Sequence, residues 1–245
     1  MSARSRFAGQ LRITRGALIV AGLELGLSLI WLLSDNDTRG TIYNWVAATP
    51  SNVFEHGRVW TLATSPFLEI DFIGLLLHIL VLWMFVPTLE RFWGTARFYR
   101  FVAVTSIVGT VVGTGVGYLI GKDLPILGLN PFIYSSIVAF GIVYARQPVQ
   151  FFGVLPLTGR QLMYGFMGFL LLFVLLQAKW AEGASFAAAM IAAAMMTSKR
   201  WSPGLAWRRW RIARARAHLT VMTGGQGGKA PKSTKGKPDE RKWLN

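Results

Sequence analysis

Three histidines, no cysteine and a few buried-looking polar residues limit what chemistry this chain of 245 residues can do. The absence of cysteine excludes thiolate nucleophiles, iron–sulfur clusters and cysteine-bound zinc. His56, His78 and His218 are too far apart in sequence for an HExxH or His-rich metal site, so neither metal nor cofactor is expected. The remaining nucleophile candidates are Ser135, Ser136 and Ser185, all inside apolar runs, where serine more often bonds back to its own helix or across a packed interface. Glu24 sits between Gly22 and Gly26 in a long apolar run, and an intramembrane acid is costly enough to be a functional-site candidate by default. With no intramembrane Lys or Arg to pair with it, three readings stay open: a protonated acid, a bond to a neighbouring helix, or a hydrated cavity.

The elements that would position these groups are membrane helices. Apolar residues make up 53% and charged residues 15% of the chain, and mean hydropathy is +0.42, which no ordinary soluble domain shows. Apolar runs predict six helices, over 13–34, 72–89, 98–121, 125–145, 161–178 and 183–198. The expected fold class is all-α, a polytopic six-transmembrane-helix bundle. The first run is too long, and too plainly lacking a cleavage site, to be a removable signal peptide.

Net charge is +15, and half of the 26 basic residues lie from Lys199 onward. Placing the N-terminus in the cytoplasm puts Arg39, Arg58, Lys122 and Lys179 alone outside, so both termini are predicted to be cytoplasmic. The charge is thus read as topology, and nucleic acid is not an expected partner. The external connection 35–71 carries Trp45, Val46, Val53, Phe54, Trp60 and Leu62, which suits a structure lying in the interface. Gly109, Gly113 and Gly117 share one face of the third span and are read as an internal packing surface rather than a dimer contact.

Three regions follow: 1–57, with the first span and the start of the external loop; 58–198, with the other five spans; and 199–245, a basic helix and a Gly, Lys and Pro tail. In the last, Arg208, Arg209, Arg211, Arg214 and Arg216 are predicted to bind anionic lipid. With no organelle transit peptide or retention signal legible, a bacterial inner membrane is the expected location.

The segments Trp60-Thr61-Leu62-Ala63-Thr64-Ser65-Pro66-Phe67-Leu68, Pro87-Thr88-Leu89-Glu90-Arg91 and Gly94-Thr95-Ala96-Arg97-Phe98 follow one another in a recognisable order. They resemble the rhomboid superfamily of intramembrane proteases and its derlin-like, non-proteolytic relatives, over about residues 58–198. The resemblance implies six spans, a serine in a G-x-S-G motif at the start of the fourth, a histidine in the sixth, and a polar pocket lined by two histidines and an oxyanion asparagine.

Laid residue by residue, the pocket histidines fall at Glu69 and Gly74 and the oxyanion asparagine at His78. Thr61 replaces the Arg of the family's Trp-Arg pair. Gly128-Leu129-Asn130-Pro131 stands at the catalytic motif, with Asn130 at the nucleophile, and Glu182 lies near the place of the sixth-span histidine. A carboxamide forms no acyl intermediate, and no histidine exists between His78 and His218, so both members of the dyad are missing.

The resemblance therefore implies a rhomboid-like pseudoprotease with no catalytic residue. Its pocket of His78, Asn130, Glu69, Gly74 and Glu182 would serve client binding, and its partners would be transmembrane helices of client proteins, held for recognition, quality control or regulation. The alternative is an intramembrane serine protease with a displaced nucleophile at Ser135, Ser136 or Ser185. A transporter or channel is disfavoured, because broken-helix pairs, inverted repeats and rings of charge are not legible.

Overall fold

The computed structural model describes residues 13–151 and 155–198, together with Trp207, Trp210, Arg211, Ile212 and Arg214. Arg208, Arg209 and Arg216, expected to contact lipid, lie outside the described residues. Two compact units are distinguished, Met1–Leu205 and Ala206–Asn245.

Helix α1 (Arg15–Leu33) shows why the first unit belongs in a membrane. Its buried face is Gly16, Ala17, Val20, Glu24 and Ser28, at helical spacing, whereas Leu18, Ile19, Leu23, Leu29 and Ile30 are exposed. A helix that turns its carboxylate inward and its leucines outward is solvated by something apolar. Among the described residues, three helices are long and apolar enough to cross a membrane: Arg15–Leu33, Thr95–Leu119 and Gly159–Gln177. The pair Thr61–Phe67 and Phe72–Met84, bent by 86°, makes a fourth if counted as one span.

The connection 35–71, expected to be external, is folded, as its aromatic content predicts. Helix α2 (Asn36–Val46) is N-capped by Asp35, whose side chain accepts hydrogen bonds from Thr38 and so keeps its carboxyl below the usual range. A π-helical turn (Ser51–Glu55) and a short helix α3 (Thr61–Thr64) follow. Trp45 and Trp60 stack with centroids 5.7 Å apart, the Arg58 guanidinium lies 5.3 Å over the Trp45 ring, and Arg58 also donates to Asn44 O at 2.7 Å.

Asp71 N-caps helix α4 (Phe72–Met84) by accepting from Gly74 N at 2.7 Å. The helix predicted over 72–89 is interrupted at Phe85, where Pro87 opens a separate helix α5 (Val86–Trp93). Helix α6 (Thr95–Leu119) carries the glycine stripe against its neighbours. A Cβ on Gly109 would stand 2.5 Å from Pro131 Cβ, and one on Gly113 would stand 2.7 Å from Ser185 Cβ, so the stripe is an internal seam as predicted.

Helix α7 (Asn130–Val143) is the central post, with Pro131, Phe132, Ile133, Ser135, Ser136, Ile137 and Phe140 all buried. It begins five residues later than the run over 125–145 suggests. Residues 125–129 are instead non-helical, with Ile126 N donating to Ala48 O and Gly128 N to Ser65 O, so this stretch lies inside the protein with its backbone paired. Phe132 meets Phe98 and Phe101 with centroids 6.1 and 6.0 Å away, forming the middle of the apolar core.

The all-α expectation needs one amendment. Strands β1 (Pro148–Phe151) and β2 (Leu155–Thr158) form an antiparallel hairpin, where Pro148 and Pro156 remove the N–H groups a helix would need. Thr158 and Gln161 then form a capping box that starts helix α8 (Gly159–Gln177), and helix α9 (Trp180–Thr197) packs its small residues, Ala181, Ser185 and Ala189, toward the bundle.

Candidate functional site

The site forms where three helices and two extended segments bring buried and half-buried polar groups together. Helix α1 supplies Glu24 and, one turn on, Ser28, both 0% exposed. Helix α4 turns Leu75, His78 and Leu82 inward at i, i+3 and i+7, so His78 is presented to the bundle by ordinary helical spacing. The break between the bent helices holds Glu69, and the start of α7 holds Asn130.

His78 is the hub. Its Nδ1 is 2.6 Å from Glu24 Oε1 and 3.8 Å from Glu69 Oε2, and its Nε2 donates to Asn130 Oδ1 at 3.0 Å. Because a carboxamide oxygen only accepts, Nε2 carries a proton, and a further proton is held between Nδ1 and Glu24. Neither ring nitrogen presents a free lone pair. Glu24 Oε2 is buried with no hydrogen-bond partner among the described residues.

Glu69 is held from its backbone side. Its Oε1 accepts from Ile70 N and Asp71 N, each at 3.1 Å, and its own N–H donates to Ser28 Oγ at 2.9 Å. Gly128, with φ +73°, closes the cluster: a Cβ there would stand 2.3 Å from Glu69 Oε2 and 3.0 Å from His78 Cε1. Only glycine lets the chain pass so close to both groups and turn into α7.

The predicted pocket is thus brought together in part. His78, Asn130 and Glu69 meet, and Gly74 lies beside them, a Cβ there standing 3.3 Å from Glu69 Cδ, so it contributes space and no functional group. Glu182 does not join. It lies one turn from Lys179, whose Nζ sits 3.0 Å from its Oε1 and 3.1 Å from its Oε2, at the start of α9. Glu24, read from the sequence as an isolated acid with three possible fates, bonds to a neighbouring helix and is a full member of the site.

Ser28 was not anticipated, although the run Ala17, Val20, Glu24, Ser28, spaced by three and four residues, marks the face that carries it. The candidate nucleophiles Ser135, Ser136 and Ser185 are each 0% exposed, and Ser136 Oγ bonds back to Ile133 O at 2.7 Å.

A third buried carboxyl group, apart from the cluster, sits at the other end of α1. Glu90 accepts from Gly16 N at 3.0 Å, Ala17 N at 2.9 Å, Thr95 Oγ1 at 2.9 Å and the Thr14 hydroxyl, and so caps a helix that begins more than seventy residues earlier. Burial raises its pKa, but the hydrogen bonds, that of Thr14 foremost, outweigh it and keep the carboxyl below the usual range. Arg97 likewise donates to Met196 O at 3.3 Å and ties the start of α6 to the end of α9. Two members of the Pro-Thr-Leu-Glu and Gly-x-x-Arg segments are therefore helix-end staples.

Residues 17–198 match the family described as eukaryotic integral membrane protein (DUF1751). The chain belongs to that family. Its helices and its membrane character agree with this description, whereas the expected bacterial inner membrane does not: a family of eukaryotic integral membrane proteins overturns it. Composition and apolar runs do not separate the two locations, because bacterial and eukaryotic bilayers are apolar solvents of similar thickness. No match was found among curated proteins.

Proposed function

We propose that this protein is a catalytically inactive, rhomboid-like membrane protein that binds transmembrane helices of other proteins, with six spans and both termini cytoplasmic. The observation that carries the inactive reading is the His78 hub: both ring nitrogens are committed, to Glu24 and to Asn130, and the group facing the imidazole is a carboxamide. The placement of His78 against Asn130 supports the laid-out resemblance, which puts those two positions in one pocket. The grouping of the family with the rhomboid-like superfamily supports it further.

Helix binding is supported by α8. Only 22% of this span is buried, and beside it runs a groove lined by Leu157, Gln161, Leu162, Gly165, Phe166 and Phe169. Gly165 and Gly168 have open space where a side chain would stand, which leaves room for a close helix contact.

The test pairs two measurements on the full chain in membranes. A serine-reactive fluorophosphonate is expected to leave it unlabelled beside a brightly labelled active rhomboid; labelling at Ser135, Ser136 or Ser185 would establish the protease alternative. A photo-crosslinker at Phe169 is expected to capture transmembrane segments of other proteins, with capture weakened by a Gly165→Leu substitution that fills the groove. Equal capture by both would remove the groove as the binding surface.

A further inference from the structure

The basic segment after the bundle is unused by the function proposed above, and its described residues have an arrangement of their own. Trp207, Trp210, Arg211, Ile212 and Arg214 are helical and exposed. At 100° per residue, Trp207, Trp210, Arg211 and Arg214 share one side of the helix, and Ile212 lies roughly opposite. On the shared side the two indoles lie 5.0 Å apart at 30°, and the Arg214 guanidinium sits 4.0 Å over the Trp210 ring.

Paired tryptophans among arginines suit the boundary between headgroups and acyl chains, where the rings sit at the interface and the cations meet phosphate. An indole face covered by its own neighbour and by an arginine is a poor platform for stacking bases, which argues against single-stranded nucleic acid as the occupant. The tether decides further. Arg97, at the start of the 25-residue span α6, donates to Met196 O, so α9 ends at the level where α6 begins. From Ser198 to Trp207 the chain can reach at most about 30 Å. A cationic aromatic helix held within that distance of a bilayer meets lipid at high effective concentration, and the nearby Arg91, Arg97 and Arg100 mark that end as the positive one.

We propose that this helix docks on the anionic leaflet of the membrane that the bundle spans, through the face formed by Trp207, Trp210, Arg211 and Arg214. Ile212 then points away from the bilayer.

The chain contains no cysteine, so a single introduced cysteine reports without background. Trp207→Cys and Ile212→Cys, each labelled with an environment-sensitive fluorophore, are reconstituted as full-length protein in nanodiscs of phosphatidylcholine alone or with about 30% phosphatidylserine, both containing brominated lipid. The expected result is strong bromine quenching at position 207, weak quenching at 212, and dependence on phosphatidylserine. Arg211→Glu with Arg214→Glu should weaken the anionic-lipid partitioning at 207 by about fivefold or more per arginine, and high salt should do the same.

Equal quenching at the two positions overturns the assigned face. Quenching indifferent to phosphatidylserine and to salt overturns the electrostatic docking. An unquenched probe whose anisotropy rises on adding RNA would assign the helix to nucleic acid and overturn the proposal. The bundle lies outside all four substitutions, and the unaltered salt response of either labelled chain tests the docking even if the charge-reversed variant is produced poorly.

Discussion

His78 holds Glu24 through one ring nitrogen and Asn130 through the other, so removing the imidazole strands a carboxylate that is 0% exposed. His78→Leu is expected to destabilise the protein by about 3–5 kcal/mol in thermal or denaturant unfolding in detergent, mostly because Glu24 is left unpaired. The decisive comparison is the double variant Glu24→Leu/His78→Leu, which should be much less destabilised than the sum of its single changes; strict additivity would mean the two do not interact. Gly128→Ala at φ +73° cannot keep its backbone without driving a methyl into Glu69, and should lower stability by at least about 1–2 kcal/mol. Serine at the same position should cost at least as much as alanine, since both carry the Cβ for which there is no space.

Two helix ends, the start of α1 and the end of α9, are held by distant side chains, and that sets the predictions that belong to elements. Glu90 caps α1, so Glu90→Ala leaves the N–H groups of Gly16 and Ala17 without their acceptor and should cost about 1–3 kcal/mol. Its folded pKa lies below that of the unfolded chain. The stability it contributes is therefore fully present above the ordinary glutamate range and is lost as pH falls through the depressed folded value. Acid titration of thermal stability should show this loss in the parent chain and lack it in Glu90→Gln. The seam between α6 and α9 is governed by volume instead: Gly113→Val puts a side chain where Ser185 Cβ already stands, and about 1–3 kcal/mol of overpacking is expected, with oligomeric state unchanged because the stripe faces inward.

At the scale of the whole molecule the question is how a bundle with a buried polar hub sits in a bilayer. Three helices meet the length and apolarity needed to cross, with the bent pair as a fourth. The six-span reading further requires α7, 14 residues long, and the alanine-rich α9 to cross as part of the packed body. Helix α7 alone reaches about 21 Å, less than a hydrocarbon core, so on that reading residues 125–129 would have to supply the remaining depth. In the cysteine-free chain, single cysteines at Arg39 and at Lys122 should react with an impermeant maleimide from one side of sealed vesicles, and a cysteine at Trp207 only after permeabilisation or from the other side. Labelling of all three from one side would mean an even number of spans between Lys122 and Trp207 and would overturn the three that the six-span reading requires.

Much of this organisation is legible in the sequence because bilayer solvation is a composition rule: long apolar runs, cations gathered on one side and a glycine stripe are each set by local residue type. The six apolar runs, the inward seam of Gly109 and Gly113, and the folded aromatic connection over 35–71 follow from that. So does the identity of Asn130, whose carboxamide forms no acyl intermediate. What only the tertiary structure decided is which polar groups meet. Glu24 and His78 are 54 residues apart, and Glu182 looks like a pocket residue until Lys179, one turn away, takes it. The non-helical stretch before Asn130 likewise depends on backbone partners supplied by other segments, Ala48 and Ser65. In an apolar solvent a polar side chain must find another polar group, so the sequence determines that Glu24 needs a partner, while the packing of α1 against α4 chooses His78.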